Sequence, residues 1–306
     1  MHEHAVTPSF SLELPTHRVE HEVELVSAAA IAELSQAAEE VGFGAVHVTD
    51  HPAPDAKWLD HGGHHALDPF VALSFAAAAT SRVRLLTNIY VAAYRNPFLG
   101  AKSVQSLDVL SGGRLVLGTA AGYLKPEFAA LGVDFDRRGD LLDEALDVLA
   151  RVLTGDDVAY AGTGFSARGV RLRPIPPSGR RPPIWIGGNS KAAIRRAVRY
   201  EGWAPFNTFG YAQASRTAGI DSLDDLEAAI GFAQKLASEV GRTDPLDICF
   251  SAGNLLDESL SIDERRANLA RLAAAGVTWV PISVAGDDRT TVLAGLRRFA
   301  AECIAP

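Results

Sequence analysis

Short apolar runs alternate along the chain with segments in which apolar residues recur at helical spacing. Phe10 to Leu14 is a run of strand length, and Glu24 to Val41 follows it with apolar residues three or four positions apart. Later apolar runs are separated in the same way by helical segments or polar loops. The predicted strands are Phe10 to Leu14, Ala45 to Thr49, Val83 to Val91, Arg114 to Ala120, Pro183 to Gly187, Gly202 to Phe206, Leu246 to Phe250 and Val277 to Ile282.

This alternation predicts an α/β protein, a (β/α)8 TIM barrel with insertion segments that takes up residues 1–306 as a single domain. Strands that are buried on both faces read as nearly continuous apolar runs, and these strands do. An open doubly wound sheet would instead need a GxGxxG turn after the first strand. That strand is followed by PTHRVE, which contains no glycine, so the barrel is favoured.

Turn and capping residues mark several boundaries. Gly42 is predicted to end the helix over Glu24 to Val41, and Asp68 with Pro69 is predicted to begin the next helix. The segment from Asp156 to Pro177 shows alternation and turn residues in place of a helical period, so an inserted hairpin is predicted there.

Composition and charge exclude several classes of protein. The chain has 29 Lys and Arg against 37 Asp and Glu, a net charge of -8 without a basic run, so no nucleic-acid partner is expected. No apolar run reaches the roughly 18 residues of a membrane span. The start, MHEHAVTPSF, lacks the cations and apolar core of a signal peptide. Two distant cysteines provide no disulfide framework, so a soluble cytoplasmic protein is predicted.

The glycine-rich turn after the fifth strand is the sharpest candidate site. In a barrel of this type the active site lies at the carboxyl ends of the strands. Gly187, Gly188 and Asn189 lead from a strand into a helix, where free N–H groups and missing Cβ atoms favour an anion. The other interpretation is a tight turn with Ser190 as helix cap, and the sequence alone leaves both open.

Asp50 and His51 end the second strand. Histidine as a residue type has a reference pKa of about 6.5, which suits proton transfer near neutrality. A loop salt bridge is the plainer alternative. His61, His64 and His65 raise the question of a metal-dependent barrel hydrolase. They lack the spacing of a zincin motif, so no metal is predicted, and a polar loop that covers the pocket together with Trp58 is favoured.

Long segments of the chain resemble the luciferase-like monooxygenase superfamily, and most closely its deazaflavin-dependent oxidoreductases, which use coenzyme F420. The segments cover most of the first two-thirds of the chain, and FMN-using relatives share much of their pattern. They are AEEVGFGAVHVTDH (38–51), DPFVALSFAAAATSRVRLLTNI (68–89), YRNPFLGAKSVQSLDVLSGGRLVLGTAAGY (94–123), EFAALGVDFDRRGDLLDEAL (127–146) and RPPIWIGGNSKAAIRRAVRYEGW (181–203).

The resemblance implies a bacterial luciferase-like barrel that binds a deazaflavin at its mouth and forms a homodimer. It implies a non-proline cis peptide bond between Asn88 and Ile89 behind the cofactor ring. Together with this bond, two turns are expected to hold the cofactor. The cofactor residues are then Asn88, Ile89, Ala120, Ala121, Gly122, Gly187, Gly188 and Asn189.

The same resemblance implies roles near the reactive edge of the ring. Asp50 and His51 are expected to flank this edge, with His51 assisting the proton transfer that accompanies hydride transfer to or from a small organic substrate. Trp58, His64 and Tyr123 are expected to contact that substrate.

Two departures from the family pattern keep alternatives open. The turn after the fourth strand reads TAAG, with less glycine than is usual, and Tyr123 stands where sugar-phosphate dehydrogenase relatives carry a glutamate. Glu127, the nearest carboxylate, sits one turn further on and is expected to lie out of reach. The alternatives are an FMN-dependent luciferase-like monooxygenase and a non-catalytic flavin- or deazaflavin-binding barrel.

Overall fold

The computed structural model describes residues 7–208 and 218–304. Residues 1–6, which contribute to the prediction that no signal peptide is present, lie outside the described residues. The strands, in chain order, are β1 (Ser9–Glu13), β2 (Ala45–Val48), β3 (Arg84–Val91), β4 (Leu115–Ala120), β5 (Val158–Gly162), β6 (Phe165–Val170), β7 (Ile184–Gly187), β8 (Gly202–Ala204), β9 (Asp247–Ile248) and β10 (Trp279–Ile282).

Helices connect these strands. Most strands of the large sheet are followed by a helix that packs on the outside of that sheet. The α-helices are α1 (Glu22–Leu25), α2 (Ala28–Glu40), α3 (Ala56–Leu59), α4 (Pro69–Ala79), α5 (Pro97–Leu110), α6 (Lys125–Ala130), α7 (Arg138–Val152), α8 (Lys191–Ala197), α9 (Leu223–Glu239), α10 (Ile262–Ala274) and α11 (Arg289–Phe299).

The large sheet has eight parallel strands in the order β10-β1-β2-β3-β4-β7-β8-β9. Its two ends meet, because Cys249 pairs in parallel with Trp279 and the Phe250 N–H donates to the Trp279 carbonyl at 3.0 Å. The predicted TIM-barrel-like α/β fold is therefore confirmed. Each predicted strand overlaps an observed one, and most differ from it by one or two residues at an end.

The inserted hairpin is also confirmed. β5 and β6 pair antiparallel outside the barrel, and the rings of Tyr160 and Phe165 stack with centroids 5.9 Å apart. One helix prediction is wrong in part. The segment Glu24 to Val41 forms two helices, because the Ser27 side chain accepts a hydrogen bond from the Ala30 N–H and begins α2 afresh.

Local interactions explain where α4 begins and where α2 ends. The Asp68 carboxylate accepts hydrogen bonds from the N–H groups of Phe70 and Val71, and Pro69 occupies the first turn of α4. Gly42, with φ of 96°, follows α2 and takes a conformation that a residue with a Cβ rarely adopts. Both predicted boundaries are confirmed.

The interior of the barrel is filled by side chains, as in a packed core. The rings of Trp185 and Trp279 lie 5.4 Å apart and pack against small and aliphatic residues of neighbouring strands. These neighbours are Ala45, Leu86, Val116, Ala204 and Cys249. The candidate site is therefore sought at the carboxyl ends of the strands, above this layer of packed side chains. Within the described ranges, no helix is both long enough and apolar enough to cross a membrane.

Candidate active site

The imidazole of His51 lies just beyond the carboxyl end of β2 and is 7% exposed. Its Nδ1 is 3.2 Å from Oε2 of Glu127, which α6 carries. Because an ionised carboxylate accepts hydrogen bonds but donates none, this contact assigns the ring proton to Nδ1 and leaves Nε2 free to accept a proton. His51 is thus oriented for proton exchange through Nε2.

Glu127 is held as a buried anion. Its carboxylate is 0% exposed and accepts hydrogen bonds from the Ala53 N–H at 2.9 Å and from the Tyr94 hydroxyl at 2.7 Å, besides the one from His51. Burial by itself would raise the pKa of this carboxyl, but the three donors outweigh it and hold the pKa below its usual value. Glu127 thus contacts His51, and the expectation that it lies out of reach of a substrate stays a prediction. Glu127 does not face solvent at the mouth of the barrel.

The three residues predicted to contact substrate surround His51. The ring centroids of Trp58, His64 and Tyr123 lie 4.5, 4.9 and 6.0 Å from that of His51. The Tyr123 hydroxyl oxygen is 3.5 Å from His51 Nε2. The structure thus brings together the residues predicted at the reacting end of the pocket, while their contact with a substrate stays a prediction.

The segment between β2 and α4 folds back over His51 for local reasons. The Asp55 carboxylate caps α3 by accepting from the Trp58 N–H, and the Gly63 N–H donates to the Trp58 carbonyl at 2.9 Å. A Cβ at Gly63 would lie 2.5 Å from the Trp58 ring, so only glycine fits there. Burial lowers the pKa of His64, which favours its neutral form beside His51.

Asp50, predicted to be catalytic, makes a buried ion pair. Its carboxylate is 2% exposed and accepts hydrogen bonds from both terminal nitrogens of Arg95, at 2.7 and 2.8 Å, and from the Val91 N–H at 3.0 Å. The Arg95 guanidinium also stacks over the Tyr90 ring at 4.7 Å. Asp50 therefore fastens the end of β3 to the end of β2, and the catalytic role predicted for it stays a prediction.

Three of the predicted cofactor residues converge from neighbouring strands. The peptide bond between Asn88 and Ile89 is cis, as the family resemblance implies, and the pairing of β3 with β4 shifts register at this point. A Cβ built on Gly187 would lie 2.4 Å from Ile89 Cδ1 and 3.2 Å from the Cβ of Ala120. Ile89 therefore approaches Gly187 so closely that a Cβ at position 187 would require the Ile89 side chain to move.

The turn from Ala120 to Gly122 is fixed by packing. Gly122 has φ of 83°, and a Cβ there would lie 2.8 Å from Val91 Cγ1 and 2.9 Å from the Phe128 ring. Ala121 is partly buried against the core. These small residues place Tyr123 at the end of β4.

The glycine turn after β7 is built partly as the plainer interpretation predicts. The Ser190 side chain caps α8 by accepting from the Ala193 N–H at 3.1 Å. The Asn189 side chain donates to the Phe206 carbonyl and accepts from the Phe206 N–H, at 2.9 and 2.7 Å. The Gly188 N–H donates to the Ala204 carbonyl. The Asn189 amide thus joins two strand ends, and a role of this turn in anion binding stays a prediction.

Ring nitrogens of the histidine loop contact backbone carbonyls. His61 Nδ1 contacts the Lys57 carbonyl and His64 Nδ1 contacts the His65 carbonyl. Among residues 7–208 and 218–304, no group of three or more His, Cys, Asp or Glu side chains is placed to hold a metal ion. The arrangement gives the hydrolase alternative no support.

A cleft of about 300 Å³ lies apart from this site. It opens between the ends of β9 and β10 and the helices α10 and α11, and Arg265, Arg298 and Phe299 are among the residues that line it. None of the residues predicted at the barrel mouth lines this cleft.

Sequence reasoning missed the partners that orient the site. Glu127, Tyr94 and Arg95 all lie in segments used for the family resemblance, but neither spacing nor composition links them to His51 or Asp50. Arg95 stands directly after the apolar run Val91 to Tyr94, and this charge after a predicted strand was the available signal.

The fold and site define an α/β barrel with an oriented imidazole at the carboxyl ends of its strands. The luciferase-like monooxygenase family model matches residues 9–281. The chain therefore belongs to the luciferase-like monooxygenase family.

Individual relatives include a monooxygenase and an F420-dependent dehydrogenase. The chain is 31% identical to a 4-hydroxyprotoasukamycin monooxygenase of Streptomyces nodosus subsp. asukaensis over 67% of this chain and 61% of that protein. It is 32% identical to an F420-dependent glucose-6-phosphate dehydrogenase of Microbacterium testaceum over 53% of this chain and 47% of that protein. The matches thus span about half to three-fifths of the length of these relatives.

A solved structure agrees with the fold over nearly the whole chain. The monooxygenase RslO1 from Streptomyces bottropensis superimposes with a TM-score of 0.78 at 21% identity, covering 97% of this chain and 98% of the other. At this identity the similarity establishes the architecture.

Proposed function

We propose that this protein is a deazaflavin-dependent oxidoreductase, which uses coenzyme F420 to move a hydride to or from a small organic substrate. The observation that carries the proposal is the buried His51, with Nδ1 held by Glu127 and Nε2 directed to Tyr123. A general acid–base of this kind contributes about 10²–10⁴ to rate when a proton moves together with a hydride. We also propose that residues 1–306 form a single barrel domain, as predicted from the sequence.

The residues present fit a flat tricyclic cofactor. At the ends of β3, β4 and β7 the chain has Ile89, Ala120 and Gly187, whose side chains are aliphatic, small or absent, and they approach one another closely. Ile89 would support the ring, and the phosphate-bearing part would lie beside the Gly187–Gly188 turn, where the Gly188 N–H is already bonded to the Ala204 carbonyl. When bound, the deazaflavin supplies the hydride chemistry, and the protein supplies orientation and proton handling.

Three groups of residues around His51 would support hydride and proton transfer. Glu127 keeps the His51 ring in one tautomer and stabilises the positive charge that forms when Nε2 takes a proton. Trp58 and His64 cover the ring and limit its access to water. Asp50 and Arg95 fix the strand end that carries Asn88 and Ile89.

The binding test is a titration of the purified protein with coenzyme F420 and, separately, with FMN, followed by cofactor fluorescence. We expect saturable binding of the deazaflavin at lower concentration than FMN. Binding of FMN alone would replace this proposal with the monooxygenase alternative, and binding of neither would remove both.

The chemical test uses His51→Ala with His61→Ala as its matched control, since His61 is an exposed histidine of the neighbouring loop. His51→Ala should lower turnover by about 10²–10⁴ while deazaflavin binding persists, and His61→Ala should change neither. A panel of small alcohols and carbonyl compounds supplies the substrates. Near-normal turnover by His51→Ala would take His51 out of the mechanism, and tight binding without turnover would favour the non-catalytic barrel.

The FMN-dependent monooxygenase stays the second candidate because one of the curated relatives, at 31% identity, is a monooxygenase.

A homodimer is part of the proposal as well. Val71 and Phe75 on α4 and Leu99 on α5 are 58%, 48% and 70% exposed, and a second copy would cover apolar side chains of this kind. Sedimentation of the purified chain tests this, with Phe75→Lys expected to favour the monomer.

A further inference from the structure

The imidazole that the mechanism uses is poorly placed to meet a substrate itself. His51 is 7% exposed, and Trp58 and His64 pack against its ring. Its Nδ1 is committed to Glu127, so proton exchange has to pass through Nε2. The Tyr123 hydroxyl lies 3.5 Å from that atom.

Tyr123 has the accessibility that His51 lacks. Its side chain is 48% exposed at the carboxyl end of β4, so a molecule that enters the barrel mouth from solvent can meet the phenol. The turn that carries it is rigid, because Gly122 is packed against Val91 and Phe128. The phenol is thus presented from a fixed backbone, with its oxygen toward the imidazole.

We propose that Tyr123 is the catalytic residue that exchanges a proton with the reacting oxygen of the substrate, and that His51 acts behind it as the proton acceptor and donor. This inference rests on the proposed function, which supplies the deazaflavin as the hydride acceptor. In the oxidising direction the substrate O–H bond breaks and its proton passes to the Tyr123 oxygen. The phenolic proton passes to His51 Nε2, the carbonyl double bond forms, and the hydride leaves the carbon for the cofactor.

The surrounding charges suit this relay. A phenol is both a donor and an acceptor, so it can contact a substrate oxygen and an imidazole nitrogen at the same time. Partial burial, with the nearby charge of Glu127, raises the pKa of Tyr123 to about 12, so the phenol rests protonated near neutral pH. The anionic Glu127 then stabilises the imidazolium that His51 becomes when the proton arrives.

The first test needs neither cofactor nor substrate. Nitrogen-15 NMR of the apo protein reports which imidazole nitrogen of His51 carries the proton and whether the other accepts a hydrogen bond. We expect a neutral ring protonated at Nδ1, with Nε2 shifted by the phenol. Tyr123→Phe should move the Nε2 resonance and leave Nδ1 unchanged. Tyr160→Phe, in the hairpin outside the barrel, is the matched control and should move neither.

An Nε2 resonance that Tyr123→Phe does not move, or a ring protonated at Nε2, would overturn the relay. Because this measurement is made on the apo protein, its outcome does not depend on cofactor binding. Failure of the deazaflavin titration with a positive NMR result would reject the proposed function while leaving the contact between Tyr123 and His51 established.

The second test uses the deazaflavin-loaded protein and the panel of small alcohols. Tyr123→Phe should lower kcat by about 10²–10⁴ and leave the deazaflavin dissociation constant unchanged, whereas Tyr160→Phe should change neither. A Tyr123→Phe variant that keeps full kcat and raises only KM would show that the phenol merely binds substrate, and the inference would be wrong.

Discussion

The carboxylate of Glu127 accepts a hydrogen bond from His51 across 76 positions of sequence, and this contact fixes the orientation of the imidazole. It depends on the packing of α6 against the segment after β3, where the rings of Phe128 and Tyr94 lie 4.7 Å apart. Tyr94 and Ala53 also donate to the same carboxylate. The pair resembles other sites in which a buried acid selects the tautomer of a catalytic imidazole.

Glu127→Gln tests this relationship. The side-chain amide keeps the size of the carboxylate but removes its charge and adds an N–H donor, which opposes donation from His51 Nδ1. We expect turnover to fall at least about tenfold with little change in cofactor binding. Tyr94→Phe removes one donor while the anion stays, so its loss of turnover should be smaller. Equal losses in both variants would mean that the charge of Glu127 has no role of its own.

Asp50→Asn distinguishes a positioning role from a catalytic one. The substitution removes the buried partner of the Arg95 guanidinium and leaves the more exposed Asp68 carboxylate, 3.6 Å away. We expect the free energy of unfolding to fall by about 2–4 kcal/mol. Asp157→Asn, which breaks an exposed pair with Arg171, is the control and should leave the free energy of unfolding nearly unchanged, because exposed pairs contribute little. Denaturant unfolding measures both changes.

Turnover of the same Asp50→Asn variant is then measured below its unfolding temperature. If Asp50 only positions the strand ends, the folded variant should retain more turnover than His51→Ala at saturating cofactor. A folded, cofactor-bound Asp50→Asn variant as inactive as His51→Ala would restore the catalytic role predicted from the sequence.

Much of the fold could be predicted because its signals are local. A run of apolar residues, an Asp before a proline and a glycine after a helix each act within a few residues, and the predicted strands and the start of α4 were confirmed on that basis. The break at Ser27 was missed because the apolar spacing continues across it. The deciding contact there, the Ser27 cap, is a single hydrogen bond.

The site was predictable only in part. The position of His51 after a strand placed it at the barrel mouth, but its partner is on a helix that a linear pattern cannot orient. Asp50 looked catalytic for the same positional reason, and only the structure shows that Arg95 occupies its carboxylate. The distinction between an available and an engaged carboxylate depends on contacts between distant segments.

Gly187→Ala tests the predicted cofactor surface. The new Cβ would lie 2.4 Å from Ile89 Cδ1, the flexible end of a side chain that can move aside, so we expect a stability loss of about 1–2 kcal/mol. Displacement of Ile89 into the mouth should raise the deazaflavin dissociation constant about tenfold or more, a change of about 1.4 kcal/mol. Gly231→Ala, an exposed position inside α9 with open space around it, is the control. It should add about 0.5–1 kcal/mol of stability and leave binding unchanged. Unaltered binding by Gly187→Ala would place the cofactor elsewhere.

Glu39 gives a prediction about stability in acid. Its carboxylate, at the end of α2, accepts hydrogen bonds from the N–H groups of Ser81, Arg82 and Val83 just before β3. Burial opposes ionisation, but these donors outweigh it and lower the pKa of Glu39 to about 2 from an ordinary value of 4.5. A carboxyl with a lowered folded-state pKa contributes stability that is complete above its unfolded-state pKa and is lost as the pH falls toward its folded-state pKa.

Glu39→Gln should therefore lower the free energy of unfolding by about 2–3 kcal/mol at pH 7. The deficit should shrink as the pH falls from about 4.5 toward 2, because the wild-type carboxylate loses its advantage over that range. Glu40→Gln, at the next and exposed position, should change stability by less than about 0.5 kcal/mol. Denaturant unfolding of the three proteins between pH 7 and the lowest pH at which they stay folded supplies the comparison. A deficit that stays constant with pH would mean that the size of the side chain at position 39, rather than its charge, joins α2 to β3.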